Sequence, residues 1–141
     1  MEGELVIKEI TMNLKDYFAD KKGTGVLATA DRHGRVDAAI YATPHFMDDG
    51  SLAFVMRERL TYANLRENNY ATYLFREDGP GYKGVRLFLE KVGEEADENL
   101  IKQMSRRNLC PEEDEALGPK HLIRFKIDKG LELIGGNEVD V

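Results

Sequence analysis

Residues 26–56 read VLATADRHGRVDAAIYATPHFMDDGSLAFVM, and this stretch decides the fold. Val26-Leu27-Ala28-Thr29-Ala30 is a short apolar run of strand type. Asp31-Arg32-His33-Gly34 is a turn, opened by its aspartate and closed by its glycine. Residues 36–43 read as the returning strand, and Pro44 ends or edges it because proline has no N–H for a ladder. Met47-Asp48-Asp49-Gly50 is a second turn, and its Asp-Gly pair is a strong hairpin signal. Residues 51–56 are apolar on both faces and read as a buried third strand.

Upstream, residues 13–22 predict a helix, with Leu14, Tyr17 and Phe18 at i, i+3 and i+4 on one face, and with Gly23 and Gly25 as its breakers. Downstream, residues 60–68 predict a short helix, with Thr61 as N-cap and Leu65 as its core contact. Residues 70–75 form a fourth strand, and residues 77–82 an irregular loop. Val85, Leu87 and Leu89 alternate with Arg86, Phe88 and Glu90 in a fifth strand. Residues 94–107 predict an amphipathic helix with Leu100, Ile101 and Met104 inward, acids early, and Arg106 and Arg107 late, an order that suits the helix dipole. Cys110-Pro111 ends it, and the acidic run 112–115 reads as a solvated loop. Residues 121–128, with Leu122, Ile123, Phe125 and Ile127, give the last clear strand, and a short strand or a loose tail follows Gly130. Meandering strands with short helices at the corners make a mainly β chain, a closed or partly closed antiparallel barrel in one domain spanning residues 1–141.

A chain of 141 residues buries enough surface to fold without a disulfide or metal. Its single cysteine, Cys110, has no internal partner, which points to a reducing compartment and a cytoplasmic location. The first ten residues, with Glu2 and Glu4, lack the basic and apolar pattern of a secretory signal. No apolar run is long enough to span a membrane. A net charge of −6 disfavours nonspecific contact with nucleic acid or anionic lipid.

The sequence holds no nucleophile elbow, Walker A loop or dinucleotide glycine motif. His33, His45 and His121 are scattered and none stands at metal-ligand spacing, so no metal site is expected. Gly79-Pro80-Gly81 with Gly84 reads as a flexible loop, since Pro80 has no N–H to offer a phosphate and no helix follows. The informative cluster is Arg57-Glu58-Arg59-Leu60-Thr61-Tyr62-Ala63-Asn64-Leu65, which leaves a buried strand and opens a helix. Its spacing leaves two readings: a solvated corner with a capping threonine, or a phosphate cradle of two guanidiniums, a hydroxyl and free helix N–H groups.

Three segments taken in order carry a resemblance: residues 26–39, residues 49–54 (DGSLAF) and residues 61–69 (TYANLRENN). Together they resemble the FMN-binding split-barrel family of pyridoxamine 5′-phosphate oxidase-like proteins, whose loose pattern is LAT-D-x-G-x-P, then DG-x-L-x-F, then K-x-x-N-L-x-x-N-P. The likeness covers residues 24–92 and extends beyond them by element order only. It implies a split barrel that works as a homodimer with FMN at the interface. Ile40, Tyr41, Ala42 and Thr43 would line the edge of the isoalloxazine, partly through backbone groups, with Val55 and Met56 beneath the ring. Arg57, Arg59 and Thr61 would take the phosphate. Asn64 matches the family's asparagine, which fixes the short helix more often than it touches flavin. Tyr82, Lys83 and Arg86 would approach the other subunit's site.

The chain departs from the pattern in two places. The lysine before Asn-Leu is absent, with Leu60 or Thr61 near its place, and Arg57 or Arg59 can replace its charge. Residues 123–127 (IRFKI) lack the arginine- and tryptophan-bearing substrate end of true pyridoxamine phosphate oxidases, so pyridoxal chemistry is not the expected activity. The resemblance implies an FMN-dependent oxidoreductase acting on a small molecule, with NAD(P)H or a redox partner as electron source. The other readings are an FMN-binding electron carrier without turnover, a barrel that takes haem or a deazaflavin, and an interaction module without cofactor. A flavin would bring its own redox chemistry, so the lack of a catalytic dyad is no obstacle.

Overall fold

The alternation of apolar and polar residues sets the strands, and the two Asp–Gly turns set their pairing. In the computed structural model, which describes residues 14–95, 97–105, 110–139 and 141, helix α1 (Leu14–Asp20) precedes strands β1 (Gly23–Ala30), β2 (Val36–Ile40), β3 (His45–Phe46) and β4 (Leu52–Arg57). Helix α2 (Leu60–Glu67), strands β5 (Tyr70–Glu77) and β6 (Gly84–Glu95), helices α3 (Glu98–Met104) and α4 (Pro111–Ala116), and strands β7 (Lys120–Glu132) and β8 (Glu138–Val139) follow. Asp31 Oδ1 accepts from the His33 and Arg35 amides at 2.8 and 3.0 Å, and Asp49 Oδ1 accepts from the Ser51 amide at 2.9 Å, so each aspartate closes its own turn. Gly34 and Gly50 take the positive φ these turns need.

The strands form one antiparallel sheet in the order β2-β1-β5-β6-β7-β4-β3, with β8 added to β7. The sheet curls, because side chains from β1, β4, β5, β6 and β7 meet in one core: Leu27, Leu52, Phe54, Tyr73, Phe75, Leu87, Leu89, Ile123 and Phe125 are essentially inaccessible to solvent. Each such side chain contributes roughly 1.5–3 kcal/mol by leaving water. Phe18 of α1 packs edge-on against Phe75 and Tyr73 (centroids 5.1 and 6.2 Å) and closes one end. The Tyr41 ring meets Phe54 at 5.8 Å and brings the β2 edge towards β4, where the barrel is split. The protein is thus mainly β with short helices, in an antiparallel split barrel.

Several elements differ from the sequence reading. Gly23 and Gly25 do not merely stop α1; they begin β1. β2 stops at Ile40, so residues 41–43 leave the sheet rather than extend it. Thr61 is not the N-cap of α2: Arg59 holds that position without a side-chain cap bond, and Thr61 is buried as the second residue of the helix. The helix expected over residues 94–107 begins later, because Glu94 and Glu95 pair with Ile123 and Leu122 and so belong to β6. Asp97 caps α3, accepting from the Asn99 and Leu100 amides. Asn13, Arg106 and Arg107 of the sequence reading lie outside the described residues, as do Glu2 and Glu4. The acidic run expected as a loop is α4, with Pro111 in its first turn, where a missing N–H costs nothing. No helix among the described residues is long and apolar enough to cross a membrane.

Gly25 is fixed by close approach. The Tyr73 hydroxyl crosses over it to donate to the Tyr41 carbonyl at 3.2 Å, and the Tyr41 amide donates to the Gly25 carbonyl at 3.0 Å. A Cβ on Gly25 would overlap that hydroxyl and press on the Tyr41 carbonyl oxygen at 2.5 Å. Gly25→Ala is therefore expected to cost about 1–3 kcal/mol, the usual scale of overpacking, read as a lower midpoint in thermal melting. An unchanged midpoint would contradict the contact.

Candidate functional site

Beyond Tyr41, whose amide still donates to Gly25 on β1, the chain leaves the sheet and faces the end of β4 and the start of α2. Between them opens a cleft of about 600 Å³, within the ordinary range for a small-molecule site. Ile40, Tyr41, Ala42 and Thr43 form one wall, and Val55, Met56, Arg57, Arg59 and Thr61 the other, so these sequence candidates are brought together. The Tyr41 amide and carbonyl are already engaged by Gly25 and Tyr73, which leaves its ring as the group it presents to the cleft. Burial raises the pKa of that phenol, the Thr61 hydroxyl lowers it by hydrogen bonding, and the charges of Asp37 and Arg59 act in opposite directions. Tyr41 therefore offers a neutral hydroxyl at neutral pH.

The two arginines have different settings. Arg57 is mostly buried: its Nη1 donates to the carbonyls of Gly118 and Asp114 (2.5 and 3.1 Å), and its Nη2 to Asp114 Oδ1 (2.6 Å). The same carboxylate oxygen takes Lys120 Nζ at 3.0 Å, and Lys120 also donates to Ser105 Oγ at 3.2 Å. Hydrogen bonds from Arg57 and then Lys120 hold the Asp114 carboxyl below the ordinary aspartate value. Arg59 is exposed, and among the described residues its guanidinium makes no hydrogen bond or ion pair.

Four candidates lie away from this cleft. Asn64 is buried in α2 and donates from Nδ2 to Thr29 Oγ1 at 3.1 Å, tying the helix to β1. Tyr82 is exposed in the loop, stacked under Arg76. Lys83 sits beside it, its carbonyl accepting from the Glu77 amide. Arg86 projects from β6 and donates to the carbonyls of Glu132 and Gly135 at 3.1 and 2.7 Å.

The structure adds residues that sequence reading passed over. Met104, Ser105, Leu117 and Lys120 reach the cleft from α3, the end of α4 and β7, and no local signal marks them. His45 lines the same cleft. Nearby, the His121 ring stacks on Tyr62 with centroids 4.3 Å apart, Nε2 meets Glu58 at 2.9 Å, and Nδ1 meets Glu94. That cluster holds the corner between Arg57 and Arg59 against β6 and β7.

This architecture has solved counterparts. An FMN-binding protein from Syntrophomonas wolfei subsp. wolfei superposes with a TM-score of 0.73 at 18% identity, covering 95% of this chain and 92% of its own. The haem storage protein HutZ from Vibrio cholerae gives 0.63 at 20% identity, over 84% and 90%. A Listeria innocua protein that carries a provisional pyridoxamine 5′-phosphate oxidase name gives 0.55 at 18% identity, over 91% and 98%. No protein-family model matches the chain, and no curated protein matches it. At these identities the likeness speaks for the fold alone: the chain shares the antiparallel split-barrel architecture of these proteins.

Proposed function

We propose that the cleft holds FMN and that the chain is an oxidoreductase for a small molecule, taking electrons from NAD(P)H or a redox partner. The observation that carries this reading is Arg59: an exposed cation without a counter-ion among the described residues, in the lining of a slot of flavin size together with Thr61 of the first turn of α2. A guanidinium, a hydroxyl and unpaired helix N–H groups are the donors that a phosphate monoester needs. The residues present fit the cofactor. Arg59 and Thr61 would hold the phosphate, Val55 and Met56 would lie beneath the ring, and Tyr41 would present its hydroxyl from the facing wall. Bound flavin would supply hydride and electron transfer. The chain's own part is to bind, to orient and to keep water from the slot. Arg57, spoken for by Asp114, is the lesser phosphate ligand in this reading. The exposed, unpaired Cys110 suits a reducing cytoplasm.

Haem in the same cleft is the second reading, favoured by His45 on the cleft wall and by the haem storage protein among the structural counterparts.

The working unit proposed is a homodimer. The outward face of β2, β1, β5 and β6 carries Val36, Ile40, Tyr70 and Leu74, with Val36 83% and Ile40 72% exposed, and an apolar sheet face of this kind marks an interface. Phe88 and Arg86 continue that face on β6. Two copies packed there would bring Arg86, Tyr82 and Lys83 towards the other copy's cleft. NAD(P)H would enter from the open side.

Arg59→Ala is expected to weaken FMN binding by roughly 10–100-fold, the scale of one charge-assisted phosphate contact, and to leave riboflavin binding unchanged. Fluorescence quenching of each flavin titrated with protein measures both. Equal losses for FMN and riboflavin, or none, would remove the phosphate site from Arg59. Light scattering is expected to give twice the chain mass for the wild type and a monomer for Val36→Asp with Leu74→Glu. A monomeric wild type would end the dimer proposal.

A further inference from the structure

The far end of the cleft holds two mostly buried cations and one carboxylate. Arg57 and Lys120, whose side chains are 15% and 18% exposed, both converge on Oδ1 of Asp114, whose side chain is 44% exposed. Two positive charges thus share one carboxylate, on a helix that also carries Glu112, Glu113 and Glu115.

The carboxylate rides on an element that is weakly held. α4 buries no side chain, and among the described residues its polar ties to the barrel are the Arg57 bonds to Asp114 and Gly118 and the Lys120 bond to Asp114. An incoming anion would give Arg57 and Lys120 a new partner as Asp114 leaves, so neither buried charge would stand uncompensated, the state that makes a broken buried pair costly. The release of α4 would uncover no apolar side chain of its own. Met104, Ser105 and Leu117 line the cleft beside the pair, two apolar groups and one hydroxyl.

We propose that Arg57 and Lys120 form an anion subsite, closed in the free protein by Asp114 as an internal counter-ion, which takes the carboxylate or phosphate of the small molecule processed in the cleft. Asp114 then acts as a specificity device: a neutral molecule leaves the pair closed, whereas an anionic one displaces α4 and lays its apolar part against Met104. This deepens the flavin reading and rests on it for one point, the identity of the group lying alongside.

The test titrates inorganic phosphate into the full chain, with and without saturating FMN, and follows the Arg57 side-chain N–H resonance. Phosphate is expected to move that resonance in both samples. Asp114→Asn, which removes the competing charge and keeps the shape, is expected to tighten phosphate roughly tenfold, and Lys120→Met to weaken it by a similar factor, the scale of one charge-assisted bond. Phosphate that binds only without FMN would overturn the proposal by making the pair the flavin's own phosphate locus. Phosphate affinity unchanged or weakened in Asp114→Asn would overturn it by making the aspartate an anchor. If FMN does not bind at all, the unsupplemented arm still decides, and the subsite stands or falls apart from the flavin reading.

Discussion

The hydrogen bond from the Tyr73 hydroxyl to the Tyr41 carbonyl, made across a glycine, sets where the sheet ends and the cleft begins. It requires a bare backbone at Gly25, and it holds residues 41–43 at the lip of the barrel instead of letting them extend β2. Tyr73 is fully buried and packs on Phe54, which in turn packs on Tyr41 and Phe125. The wall of the cleft is therefore carried by the core itself, and the position of Tyr41 is decided by packing that spans β1, β4, β5 and β7. A binding wall anchored in this way is rigid before any ligand arrives, which lowers the ordering cost of binding.

The opposite wall is organised by charge. The corner between β4 and α2 presents Arg57, Glu58 and Arg59 in succession, and each has a separate setting: Arg57 against α4, Glu58 against His121, Arg59 towards solvent. Alternation along an extended segment sends adjacent side chains in different directions, so three consecutive charges need not compete. Two cationic loci result, one open at the mouth and one closed by an aspartate. In the proposed reading, the open locus would take a cofactor phosphate and the closed one a second anionic group.

The parts of the fold that were legible in the sequence are those with local causes. Asp31 to Gly34 and Asp49 to Gly50 carry their own hydrogen bonds, and the alternation at Val85, Leu87 and Leu89 returns as buried residues on β6. The walls of the cleft were legible because residues 40–43 and 55–61 are short segments brought together by the hairpins. What was not legible depends on distant partners. Glu94 and Glu95 have the composition of a helix start, yet pairing with Leu122 and Ile123 draws them into a strand. Pro111 reads locally as a stop and serves as a first turn, since proline is tolerated in both places. Arg57 reads locally as an open cation, and its partner Asp114 lies 57 residues later, where no local pattern names it. Asn64 matches a family position, and the structure gives it a partner in Thr29 that no local pattern names.

The measurement that bears most directly on the central claim is the absorbance spectrum of the purified protein, followed by heat release of any chromophore and its mass. A yellow protein that releases FMN at about one per chain is the expected result. A protein that shows a Soret band would give the cleft to haem, and a colourless one that also refuses added FMN would contradict the flavin account while leaving the split barrel as described.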